Sequence, residues 1–178
     1  MKHLLPICIA AISFASCSSP KAYFSTTIRT KLENSNVPIS KVQFYIDRDV
    51  EIRREVESST TQVTAGKIKF ENGKYVNIIT LKKGTPGICT MTHPGKIDVS
   101  FDSGDNKYLT FGQLKKEDNN APYTLYANSW LNDLGEIKYD GRQYYILPAG
   151  SEARLMIKKS VLSTAKVEKS EMGGRKVK

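Results

Sequence analysis

Histidine and cysteine are the scarcest chemistry-bearing residues in this chain. Of 178 residues, two are histidine (His3 and His93) and three are cysteine (Cys8, Cys17 and Cys89). A hydrolase triad or an imidazole-rich metal centre would have to be built around His93 almost alone. No G-x-S-x-G, H-E-x-x-H, phosphate-loop or G-x-G-x-x-G pattern occurs. Long apolar runs are missing too. The N-terminal run from Leu4 to Ala15 is shorter than the roughly 20 residues that span a bilayer. Tryptophan occurs once, at Trp130, and no solenoid-type repeat is present. Carboxylates are plentiful, but no spacing selects a pair for acid–base work. Together these absences argue against an enzyme and against any cofactor.

The N-terminal sequence reads MKHLLPICIAAISFASC. Lys2 provides a positive start, Leu4 to Ala15 an apolar stretch, and Ala15-Ser16 a pair of small residues, the layout of a secretory signal. The four residues Phe14-Ala15-Ser16-Cys17 resemble the lipobox of bacterial lipoproteins. The resemblance implies a signal peptide over residues 1–16, lipid attached to the sulfur of Cys17, and residues 17–38 as a tether. A thiol is the side chain best suited to that acylation, and several acyl chains anchor stably where one does not. Ser18 in place of an aspartate, and Ser18-Ser19-Pro20-Lys21 without an acidic cluster, imply the outer membrane and its periplasmic face.

Without residues 1–16 the chain has 162 residues, one ordinary domain by length. Lys2 is the only charged residue lost, so 27 basic residues become 26 against 18 acidic, or +8. Nucleic acid is not expected outside the cytoplasm. The basic excess suits an anionic envelope polymer or an acidic protein partner. Cys89 is then the sole remaining thiol besides Cys17, so no intrachain disulfide is expected, and the domain must rely on its apolar core or on a partner.

From residue 39 the pattern has period two, the strand signature. Val42, Phe44 and Ile46 alternate; Val50 and Ile52 share a face opposite Glu51, Arg53 and Glu55. Asp47-Arg48-Asp49 reads as a turn. Asn72-Gly73 and Asp140-Gly141 each sit between alternating apolar runs, as two-residue type I′ hairpin loops do. They predict Phe70 opposite Tyr75 and Ile137 opposite Tyr144. KIDVSF and KYLTF flank a turn at Asp102–Asn106, whose spacing does not fit an EF-hand loop. ARLMIKK reads as the last strand. One early strand is expected around 23–28, and short helices within 111–118 or 153–166. The expected fold is all-β: a single-domain antiparallel sandwich or partly open barrel over residues 39–163, with at most one or two short helices and a mobile basic tail over 164–178.

Three groups of residues are candidates for function. Cys89, Met91 and His93 share one face if their strand is regular, and thiolate, thioether and imidazole suit a soft metal such as Cu(I). The strand rise holds Cys89 and His93 about 13 Å apart, which argues for a core strand instead. Tyr123, Tyr126 and Trp130, beside Asn128, Asn132 and Asp133, could form a sugar platform or a protein hot spot. Arg48, Arg53 and Arg54, interleaved with acids, read as a salt-bridged strand face or part of an interface. The expected function is a non-catalytic outer-membrane lipoprotein that anchors or assists an envelope complex, in secretion or assembly. The alternative is a glycan- or peptidoglycan-binding module; a metal-handling protein or an enzyme comes after both.

Overall fold

The computed structural model describes residues 19–57, 67–114 and 117–164, and its strands form two antiparallel sheets. The seven-stranded sheet runs in the order β1 (Lys21–Tyr23), β13 (Leu155–Lys158), β2 (Gln43–Ile46), β6 (Pro86–His93), β7 (Lys96–Ser100), β8 (Tyr108–Gly112), β9 (Thr124–Leu125). The six-stranded sheet runs β10 (Ser129–Leu131), β11 (Leu134–Tyr139), β12 (Arg142–Ile146), β3 (Val50–Val56), β5 (Lys74–Leu81), β4 (Lys67–Glu71). The expected all-β class is borne out. One helix exceeds two turns, α1 (Thr26–Asn34); α2 (Pro148–Ser151), α3 (Lys159–Thr164) and a 3₁₀ turn at Ile39–Lys41 are short.

The hairpins form where turn chemistry requires them. Asn72 and Gly73 have φ of 50° and 79°, and Asp140 and Gly141 have 51° and 71°, as type I′ loops need. Phe70 faces Tyr75, and Ile137 faces Tyr144. Ile137, Tyr139, Tyr144 and Ile146 are all buried. A third such loop lacks glycine: Asn132 and Asp133, at 47° and 64°, join β10 to β11. Their short polar side chains tolerate the left-handed region better than other residues do.

The seven-stranded sheet curls until its two ends meet. Ser25 bridges Pro122, and Thr124 bridges Arg154. Four backbone bonds close this seam: Phe24 N–H donates to Leu155 O (2.8 Å), Leu155 N–H to Tyr123 O (3.0 Å), Tyr123 N–H to Phe24 O (2.8 Å) and Leu125 N–H to Ala153 O (2.9 Å). The Phe24 ring packs edge-on against Phe44 (5.0 Å) and Tyr123 (5.1 Å) inside it.

Residues 21–38 therefore belong to the domain and are not a tether. Phe24 and Leu32 are fully buried. The expected strand at 23–28 ends at Tyr23, and helix begins at Thr26. Phe24, Ile28 and Leu32 recur every four residues, a helical spacing that the polar residues between them mask in STTIRTKLEN. The Ser25 hydroxyl caps the helix by accepting from Ile28 N–H (3.4 Å). The Arg29 guanidinium straps it to the β6–β7 turn, donating to the carbonyls of His93 (2.9 Å) and Lys96 (3.3 Å). Residues 111–112 end β8, and no described residue of 113–118 is helical. The expected basic tail from residue 165, and the residues before 19 read as a signal and lipid-attachment region, lie outside the described residues.

Phe24→Ala should cost about 3–5 kcal/mol by removing a buried ring that two others pack against. Urea denaturation followed by circular dichroism measures this. A residue in a mere tether would show no change.

Candidate interaction surface

Cys89, Met91 and His93 do not share a face. A bulge between Cys89 and Met91 shifts the register, so Cys89 pairs with Val99 while Met91 pairs with Asp98. The extra residue breaks the period-two alternation. Cys89 points into the core, 5% exposed, and its thiol donates to Met91 O (3.3 Å). Met91 and His93 point out. Burial pushes the Cys89 thiol up, and the smaller influences of the Met91 backbone and the Arg29 charge act in the opposite direction. Among the described residues no three His, Cys, Asp or Glu side chains gather as metal ligands.

His93 has a different partner. Its Nε2 lies 2.8 Å from Asp98 Oδ2, and the Thr110 hydroxyl donates to Asp98 Oδ1 (2.7 Å). In a hydrolytic triad the nucleophile bonds the imidazole, with the carboxylate behind it. Here the hydroxyl bonds the carboxylate, so the array holds Asp98 between two strands and positions no nucleophile on His93.

The three aromatics read as a platform are dispersed. Tyr123 is fully buried at the seam. Tyr126 lies on the outer face of the seven-stranded sheet, with Lys96 Nζ 3.3 Å above its ring. Trp130 is 54% exposed on β10 of the other sheet and folds over Gly135, where a Cβ would fall 3.1 Å from its ring.

The arginines separate as well. Arg48 lies in the turn that joins β2 to β3, bonded to Glu152 (2.7 Å) and 3.6 Å from Asp47. Arg53 bonds Glu51 (2.8 Å) on the outer face of β3. Arg54, one residue on, lies on the opposite face, 5.6 Å over the Tyr144 ring. Strand alternation turns the last two to opposite faces of β3, although both border one open groove with Leu131, Leu134 and Arg142.

A surface that no single sequence segment reveals lies on the outer face of the seven-stranded sheet. Cross-strand register aligns Tyr23, Met156, Tyr45 and Pro86 in one row. Ile88, Ser100 and Tyr108 align in a second, and Met91 lies beside Asp98 in a third. Ile88 and Met91 are 55% and 57% exposed, and Tyr23 and Tyr108 are exposed too. Cations roof the tyrosines: Lys21 over Tyr45 at 4.8 Å and Arg154 over Tyr23 at 4.2 Å, besides Lys96 over Tyr126. Arg154 is fixed by Asp47, donating from its backbone N–H (2.8 Å) and from Nε (2.7 Å), and its guanidinium also reaches the Tyr23 hydroxyl (2.8 Å). Tyrosine, methionine and arginine are the residues that interfaces favour. The available signal was the alternation of each strand, but these residues come from five strands spread over more than 130 positions.

No protein-family model matches the chain, and neither a curated protein nor a solved structure is similar to it. Fold and surface together define a two-sheet β-sandwich domain of the protein-interaction type.

In the native protein Cys89 should react with a disulfide reagent at least about a hundredfold more slowly than in urea, because its strand must open first. Absorbance of the released thiol measures the rate. Equal rates in both states would contradict the burial of this side chain.

Proposed function

We propose that this chain is a lipid-anchored, non-catalytic accessory subunit of an envelope complex, and that it docks its partner protein on the outer face of the seven-stranded sheet. The observation that carries this reading is the Tyr/Met/Ile surface, uncovered among the described residues and rimmed by cations. An exposed apolar patch of that kind on a stable domain marks an interaction site. The net charge of +8 without residues 1–16 and the cations over Tyr23, Tyr45 and Tyr126 favour a partner with acidic groups at the rim.

The short N-terminal connection supports an anchoring role. Cys17 precedes Lys21, the first residue of β1, by four residues, a reach of about 14 Å when fully extended. A lipid on Cys17 would hold the domain against the bilayer rather than on a long leash. Lys21, its cross-strand neighbour Lys158 and the adjacent Lys159 lie where the chain would leave the membrane, suited to phosphate headgroups. The aromatic rows start at that same strand, so a partner seated there would be held close to the membrane. The residues after Cys17 favour the periplasmic face of an outer membrane. The glycan-binding alternative loses its platform with the dispersal of Tyr123, Tyr126 and Trp130.

Photo-crosslinkers at Ile88 and Met91 should capture one defined partner in native membranes, and a crosslinker at Lys138 on the other sheet should not. Equal capture at all three sites, or none at Ile88 and Met91, would sink the docking surface. Ile88→Asp should abolish capture while changing stability by no more than about 0.5 kcal/mol. Separately, Cys17→Ser should remove labelled fatty acid and release the protein from membranes. Retained label would disprove lipidation at Cys17.

A further inference from the structure

The two sheets do not close completely against each other. Arg29 ties α1 to one end of β6 and β7. At the opposite end a cleft of about 240 Å³ remains. Val50 of β3 and Ile79 and Leu81 of β5 wall one side, and Phe101 and Leu109 wall the other. Gly87 explains the gap. The Phe101 ring lies so close to β6 that a Cβ on Gly87 would fall 2.6 Å from it. The ring is thereby drawn onto its own sheet and leaves the space between the sheets unfilled. Ile79, Leu81 and Phe101 are only partly buried against the core.

Tyr139 lines the same cleft and is only 8% exposed. Its ring stands perpendicular to Tyr144 at 6.2 Å. Its hydroxyl makes no hydrogen bond to any described residue. The ring is buried, but the hydroxyl oxygen still reaches solvent through the cleft, where a ligand can accept its hydrogen bond in place of water. Burial, with the carboxylates of Asp102 and Asp140 nearby, pushes the phenol up to about 12. The group is therefore a neutral donor at physiological pH. The charges at the mouth are already used: Lys82 bonds Asp49 (2.8 Å), and Asp102 accepts from Ser103 N–H (2.9 Å) and Lys107 (3.4 Å). A charged ligand would have to break these pairs.

We propose that this cleft is a binding site for a small, uncharged, apolar molecule carrying one carbonyl oxygen, which accepts a hydrogen bond from Tyr139. A dry cavity of about 150 Å³ holds one benzene ring, so the cleft takes about ten heavy atoms. The apolar walls supply affinity, and the single hydroxyl supplies orientation and discriminates against plain hydrocarbons. The site is independent of the docking surface, which lies on the other side of the seven-stranded sheet.

Acetophenone and α-methylstyrene test the assignment, because they share size and shape and differ in having a carbonyl or a methylene group. Titration of the purified protein, followed by the methyl resonances of Leu81 and Leu109, should show saturable binding of both, with acetophenone the tighter. Tyr139→Phe should weaken acetophenone about five- to tenfold and leave α-methylstyrene within about twofold. Leu81→Trp, which fills the cleft, should abolish both. Thermal melts monitor folding of each variant, and the Tyr139→Phe result decides alone if Leu81→Trp does not fold. Absence of saturable binding of either probe to the wild type, or a Tyr139→Phe effect that is the same for both, overturns the proposal.

Discussion

The closure of the seven-stranded sheet on itself is the constraint on which the rest of the structure depends. Phe24, Tyr123 and Leu155 meet through three backbone hydrogen bonds, and the Phe24 ring sits edge-on between Phe44 and Tyr123. The seam fixes where β1 enters and orients the helix that follows it. It also pairs strand ends that would otherwise present unpaired backbone. Cys89, the one described cysteine, is free, so apolar burial and this seam do the work that disulfides do in many small exported domains. The second sheet packs over the curled one and carries the cleft on its inner side.

The closed sheet also gives the outer surface its shape. Its convex face gathers tyrosines and methionines from β1, β13, β2, β6 and β8 into adjacent rows. Lys21, Lys96 and Arg154 on that face each stack on a tyrosine, so less of their side-chain entropy would remain to be lost on binding. Arg154 illustrates this best, since Asp47 holds it from two donors while its guanidinium covers Tyr23.

Local turn chemistry made much of the fold legible. Asn72-Gly73 and Asp140-Gly141 set their own registers, and the alternation on either side of them says which face is buried. Asn132-Asp133 was harder to read, because neither residue is glycine although both take positive φ. Non-local features left no local mark. The helix at Thr26–Asn34 hides among polar residues because only Phe24, Ile28 and Leu32 need to be apolar. One extra residue between Cys89 and Met91 turned an apparent ligand row into an inward cysteine and an outward methionine. The candidate surface was the least legible of all, since cross-strand neighbours are set by register and not by sequence distance. Tyr123, Tyr126 and Trp130 are near one another in sequence, yet they end in the core, on one sheet and on the other.

The seam also has a temporal consequence. Three of its members stand at positions 24, 123 and 155, so its first strand cannot be settled until nearly all of the described chain is available. Contacts of such long sequence separation slow folding, because loop-closure entropy must be met before the contact stabilises anything. The β4–β5 and β11–β12 hairpins can form early from their own turns, while residues 21–38 wait for β13. The chain would therefore spend its time before completion with a structured middle and an unanchored beginning. A segment next to a candidate lipid site is then the last part to become rigid.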